Sequence, residues 1–136
     1  MSRQIDAIKS WLALEAWRYG HKFGPKGPGI IARILHNRVK KGWGTWSQVL
    51  NDIPKFNAVN LGEEPGGYPD PYDPTFIKVL VDVDKIFSGE EDTLSNKAVF
   101  FADLGNITRE WFLTNVVRNP AEHPGGGNYG LLTYWD

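Results

Sequence analysis

One carboxylic acid is set apart by its neighbours in the chain. Glu15 lies in the run Leu14-Glu15-Ala16-Trp17-Arg18-Tyr19-Gly20, with Trp11 one helical turn before it. A carboxyl group packed among aromatic rings loses hydration, which disfavours the charged form and raises its pKa. An acid that keeps its proton near neutral pH can deliver it to a leaving group and later take one back. The same spacing also fits a surface glutamate paired with Arg18 or Arg33, a common arrangement on exposed helices. Spacing leaves both readings open.

The other chemistries are less well supported. His21, His36 and His123 with Asp70 and Asp73 could in principle hold a metal, but none shows ligand spacing such as His-x-x-x-His. No metal and no cofactor is expected. The chain has no cysteine, so a thiol nucleophile or thiolate metal site is excluded. No Gly-x-Ser-x-Gly elbow is present for a serine hydrolase. Neither glycine run, 24–29 or 125–127, follows a strand and opens a helix with Lys-Ser/Thr as a phosphate cradle needs, so both read as loops.

The elements that must position Glu15 follow from periodicity. A helix is expected from about Asp6 to Tyr19, with Asp6 as N-cap and Ile5, Ile8, Leu12 and Ala16 on one face. Glu15 falls beside that stripe, so its carboxylate should emerge at the edge of the buried face. Residues 20–29, rich in glycine and proline, read as loop. A second helix is expected over 29–41, with Ile30, Ile31, Ile34, Leu35 and Arg38 as its stripe and Gly42 ending it. Thr45-Trp46-Ser47-Gln48 has capping-box form and predicts a short helix through Leu50.

Residues 52–72 form a long stretch rich in proline and glycine, of the kind that often carries function when ordered. Asp73-Pro74 then predicts an N-cap and first helical residue, for a helix bearing Phe76, Ile77, Leu80, Val81, Asp84 and Phe87 and closed by Gly89. Residues 98–102 read as a short buried strand, and 107–117 as a short helix capped near Thr108. Residues 120–128 read as loop and 129–135 as a closing strand. The expectation is a mainly helical α+β chain with a small sheet, one domain over 1–136.

Bulk composition narrows the function. A net charge of −1 gives no electrostatic footprint for nucleic acid or an anionic membrane surface. Six tryptophans in 136 residues are a surplus, readable as core fillers or as platforms for sugar rings. Met1-Ser2-Arg3-Gln4-Ile5-Asp6 has no apolar stretch behind its positive charge, and no later segment is long enough to span a bilayer. Synthesis in the bacterial cytoplasm without a signal peptide, and no membrane insertion, are therefore expected.

From its first helix onward the chain resembles the SleB-type cell wall hydrolases, the spore-cortex-lytic family. Glu15-Ala16-Trp17-Arg18-Tyr19-Gly20 stands where that family has a Glu-Ala-Arg-Gly-Glu-like motif, and Ile34-Leu35-His36-Asn37-Arg38-Val39 resembles its helix ending in Asn-Arg-Val. Residues 49–57 fit the place of its Gln-Phe-Ser-like turn, and 79–89 its glycine-ended helix. Residues 99–106 resemble its apolar strand ending in Asn, and 130–135 its terminal strand. The chain departs from the family where His21 replaces the second glutamate of the first motif, and Thr133 stands near the place of its terminal histidine.

The resemblance implies a lysozyme-like, lytic-transglycosylase-related fold that cleaves peptidoglycan between N-acetylmuramic acid and N-acetylglucosamine. It implies Glu15 as the sole essential acid and base. Asp52, Asp70 and Asp73 are the candidates for a second carboxylate. Phe56, Asn57, Tyr68 and Tyr72 are candidates to line a glycan groove, and Trp43 or Trp46 to stack on sugar faces, each against a structural reading as core or loop residue. Asn37-Arg38 reads as a helix end that caps the core. A compact wall enzyme without a leader suits a bacteriophage, which makes the alternative a structural virion protein of tail, portal or injection machinery that keeps the fold and contacts other virion proteins.

Overall fold

The computed structural model describes residues 2–51, 70, 72–89, 98–103, 107 and 109–136. The chain is α+β and mainly helical. Helices α1 (Ser2–Gly20), α2 (Gly27–Lys40), α3 (Trp46–Asn51) and α4 (Pro74–Ser88) precede strand β1 (Phe100–Asp103). A helical turn α5 (Glu110–Phe112) follows and widens to π geometry over Leu113–Val117. The hairpin β2 (Gly125–Tyr129) and β3 (Leu132–Trp135) closes the chain. No helix among the described residues is long and apolar enough to cross a membrane.

Helix α1 is the axis of the helical layer. It packs against α2, α3 and α4, while α2 also packs on α4 and α3. Leu12 and Ala16 of α1 join Ile31, Ile34 and Leu35 of α2, Leu50 of α3, and Phe76, Val79 and Val83 of α4 in one core. Leu132 and Tyr134 bring the sheet into the same cluster.

The helix starts and stops are chemically explicit. The Asp73 carboxylate accepts from the backbone N–H groups of Thr75 (2.8 Å) and Phe76 (3.2 Å), Pro74 fills the first turn, and Gly89 ends α4 in the left-handed region at φ 81°. At α3 the capping box closes reciprocally. The Gln48 N–H donates to Thr45 Oγ1 at 3.2 Å, and the Thr45 N–H donates to Gln48 Oε1 at 2.9 Å.

Several boundaries differ from the sequence reading. Helix α1 begins at Ser2, so Asp6 lies inside it and is not its cap. The expected loop over 20–29 shrinks to 24–26, because α1 continues to Gly20, a 3₁₀ turn covers His21–Phe23, and α2 starts at Gly27. The glycines serve close approach here: a Cβ on Gly20 would sit 2.6 Å from the Pro28 backbone nitrogen, and one on Gly27 would strike the Gly20 carbonyl. The buried face of α4 is Phe76, Val79, Val83 and Ile86, which leaves Ile77, Leu80 and Val81 exposed.

The sheet is antiparallel in the order β1-β3-β2. Phe100 pairs with Trp135 and Asp103 with Leu132, while Tyr129 pairs with the other edge of Leu132. Strand β1 is half-buried rather than buried, its apolar lead-in Ala98-Val99 being the part that reaches the core. Residues 125–128, expected as loop, form the edge strand β2. The expected single closing strand is therefore a hairpin, turning at Gly130 (φ 60°). The register shifts between Gly125 and Gly127, where a Cβ would meet the Tyr134 hydroxyl at 2.8 Å. Arg109 occupies the N-cap of α5 without a side-chain cap, and Thr108 lies outside the described residues.

Two side chains at the end of α2 fasten the layers together. Asn37 Nδ2 donates to the Ala98 carbonyl at 2.9 Å, and Arg38 Nε donates to the Val99 carbonyl at 2.6 Å. The Val99 N–H donates to Trp135 O at 2.8 Å, extending the β1–β3 ladder. These bonds give Asn37 and Arg38 the core-capping place that the sequence suggested.

Candidate functional site

Glu15 is wholly buried. The sequence put it at the edge of the apolar stripe, but every residue from Trp11 to Ala16 is buried, because α2, α3 and α4 together surround the middle of α1. Neither carboxylate oxygen has a hydrogen-bond partner. Arg18, one turn on, brings Nη1 to 3.7 Å from Oε1. That is close enough for an ion pair and too far for a hydrogen bond.

The electrostatic consequence is large. Burial pushes the Glu15 pKa up from 4.5 to about 7, and Arg18 offsets only part of that rise. The neutral acid and the carboxylate are therefore close in free energy at neutral pH, the condition under which one group can both give and accept a proton. Burying a carboxyl without hydrogen bonds is costly, so an orphan of this kind calls for a functional explanation.

The aromatics around α1 are engaged with one another. The Trp17 ring stacks on His21 with centroids 4.6 Å apart and meets Phe76 edge-on, while its Nε1 is buried without a partner. His21 Nδ1 donates to the Trp17 carbonyl at 2.9 Å. Tyr19 lies edge-on to Phe101, and burial raises its pKa against the opposing pull of Arg38.

The expected groove residues divide. Trp43 is 48% exposed and, with Arg38, Gln48 and Val49, lines a pocket of about 220 Å³. Tyr72 is 85% exposed in the turn before α4 and forms no wall of that pocket. Phe56, Asn57, Tyr68 and Asp52 lie outside the described residues. Trp46 is no open platform: its ring lies against both His36 (5.7 Å, 4°) and Phe87 (5.5 Å, 27°).

The candidate second carboxylates have local duties. Asp70 accepts from the Tyr72 N–H at 2.9 Å, and Asp73 caps α4. Among the described residues no three His, Asp or Glu side chains converge on a site for a metal ion. The histidines go separate ways, His123 donating from Nδ1 to Asp136 O at 3.0 Å beside the Phe100 ring.

Sequence reasoning weighed His36 only as a possible metal ligand and missed its place in an aromatic cluster. Its ring packs against both Trp46 and Phe87, and its Nδ1 is buried without a partner. Burial, reinforced by Lys40 and Arg33, lowers its pKa from 6.5 to about 4, so it is held neutral. The available signal was its position on α2 between the apolar residues Leu35 and Val39. Comparison of the chain with protein-family models, curated proteins and solved structures finds no match.

Proposed function

We propose that the protein cleaves the glycan strands of peptidoglycan, with Glu15 as its general acid and base, on a lysozyme-like fold related to the SleB-type wall hydrolases. The observation that carries this reading is the Glu15 carboxyl: buried, without a hydrogen bond, and raised to about 7. It stands on the helix and in the motif position where the resemblance places the acid.

Protonated Glu15 gives its proton to the glycosidic oxygen between N-acetylmuramic acid and N-acetylglucosamine. The C1–O bond breaks with its electron pair leaving on that oxygen, and an oxocarbenium-like centre forms at C1 of the muramoyl unit. Ionised Glu15 then takes the proton of the muramoyl C6 hydroxyl as that oxygen bonds to C1. The product is a 1,6-anhydro end, and Glu15 returns to its starting state. With His21 in the place of the family's second glutamate, an internal nucleophile removes the need for a second carboxylate. Because Glu15 has no exposure to solvent, the side chains over α1 must part when glycan enters.

Such a protein is made in the bacterial cytoplasm and acts on the wall. Digestion of purified sacculi by wild type and Glu15→Gln, with mass spectrometry of the products, tests the proposal. A second reading, a bacteriophage virion component that keeps the fold, is favoured by the exposed apolar stripe Ile77, Leu80 and Val81 on α4, together with Trp111 and Leu131. Stable co-purification with virion proteins, without binding to sacculi, would select it.

A further inference from the structure

Glu15 and Arg18 pair with each other and, among the described residues, with nothing else. The Glu15 carboxylate is fully buried and accepts no hydrogen bond, and Arg18 Nη1 at 3.7 Å from Oε1 is the one charge beside it. The helices packed around α1 add none. They bring apolar side chains to the core, among them Ile31, Ile34, Leu50, Phe76 and Val79. Arg33, Arg38 and Lys40 of α2 and Lys78, Asp82, Asp84 and Lys85 of α4 make no ion pair with Glu15, and α3 carries no charged residue. His36 is held neutral, and Lys9, on α1 itself, pairs with Asp84.

The pair joins the interior to the surface. Three residues on, Arg18 lies on the same side of α1 as Glu15, but its side chain is 27% exposed where that of Glu15 is closed off. The guanidinium therefore meets both water and the enclosed carboxyl. At 3.7 Å it acts through its charge and not through a hydrogen bond. When Glu15 carries its proton, the ion pair vanishes and Arg18 keeps its hydration. When the proton leaves, Arg18 is the one countercharge for a carboxylate that water cannot reach. An interaction made in only one of the two protonation states acts on the proton transfer itself.

We infer that Arg18 is the positioning residue of the Glu15 acid and base, holding the carboxylate while the proton is away and releasing it when the proton returns. The inference deepens the reading of Glu15 given above and rests on it. Arg18 touches no reacting atom and works through Glu15 alone. Its pull opposes the effect of burial, which is the direction such a role requires.

The test follows the side-chain carboxyl carbon of Glu15 in the ¹³C-labelled full chain as pH is raised, the signal being the one that Glu15→Gln lacks. Wild type, Arg18→Gln and Arg18→Lys are compared, each checked for folding by its melting temperature. Arg18→Gln should move the titration midpoint up by about one pH unit, the low end of what an opposite charge at this distance supplies, because the guanidinium is partly exposed. Arg18→Lys keeps the charge. Since the contact is no bidentate hydrogen bond, a point charge serves, and the midpoint should return towards that of wild type. A midpoint that Arg18→Gln leaves in place, or that Arg18→Lys moves as far as Arg18→Gln does, overturns the inference.

Release of muropeptides from sacculi across pH gives the second readout. For Arg18→Gln the alkaline limb should shift up with the midpoint while the plateau falls severalfold, because the carboxylate that forms as the proton leaves has lost its countercharge. Arg18→Lys should keep the limb where wild type has it. A fall in rate with an unmoved limb makes Arg18 a structural residue and overturns the inference. A wild type that does not cleave sacculi, with a Glu15 midpoint that still follows the charge on residue 18, removes the enzymatic reading and leaves Arg18 as the partner that holds the carboxylate.

Discussion

Replacing Glu15 with glutamine should change how stability depends on pH, with the largest effect above pH 7. Two half-hidden titrations oppose each other in the wild type. Glu15 has its folded pKa raised to about 7, so its contribution is fully present below 4.5 and is lost as pH rises through about 7. His36 has its folded pKa lowered to about 4, so its contribution is present above 6.5 and is lost as pH falls through about 4. Each pH unit over which folded and unfolded states differ by one proton contributes about 1.4 kcal/mol. Over its own window each group therefore reaches about 3 kcal/mol. Between pH 4.5 and 6.5 the two slopes have opposite sign and nearly cancel.

Glu15→Gln removes one of the pair. Urea unfolding at a series of pH values, extrapolated linearly to water, gives the curve for each protein. The difference between variant and wild type should grow in the variant's favour by about 3 kcal/mol from pH 4.5 to above 7. Any constant offset from placing an amide where the carboxyl lacked partners drops out of that comparison. His36→Phe, which keeps an aromatic ring against Trp46 and Phe87, should expose the opposite slope, with stability falling as pH rises across the same window. A difference between Glu15→Gln and wild type that stays constant from pH 4.5 to 7 would show that Glu15 ionises as an ordinary glutamate, and the buried-acid reasoning would fall.

Two further outcomes probe the scaffold. Gly27→Ala drives a methyl group into the Gly20 carbonyl where α1 meets α2, and should destabilise by about 1–3 kcal/mol in the same urea assay. Asn37→Ala leaves the buried Ala98 carbonyl without its donor and should cost about 1–3 kcal/mol, with faster amide exchange at Val99 marking loss of the α2–β1 tie.

Features encoded within a few residues were legible in the sequence. The Thr45–Gln48 capping box and the Asp73-Pro74 to Gly89 frame of α4 both appear as read, because their hydrogen bonds join near neighbours. Features set by distant packing were not. Gly20 and Gly27 carry the same local signal whether they turn the chain or let two helices touch, and only the α1–α2 crossing decides. Strand β2 has three glycines and no strand propensity of its own; it is defined by its pairing with β3.

Glu15 shows the same limit. Helical period placed it beside the stripe, whereas its complete burial comes from α3 and α4 closing over α1. The raised pKa was foreseeable from aromatic surroundings, but its cause is enclosure by those helices. The small pocket at Trp43 was not foreseeable, since it depends on Arg38 being fixed to Val99, 61 positions away.

Digestion of purified sacculi tests the catalytic assignment most directly. Wild type should release muropeptides bearing 1,6-anhydro ends, and Glu15→Gln, folded and at least as stable at neutral pH, should release none. Equal release by the two proteins, or no release by wild type, would contradict the account.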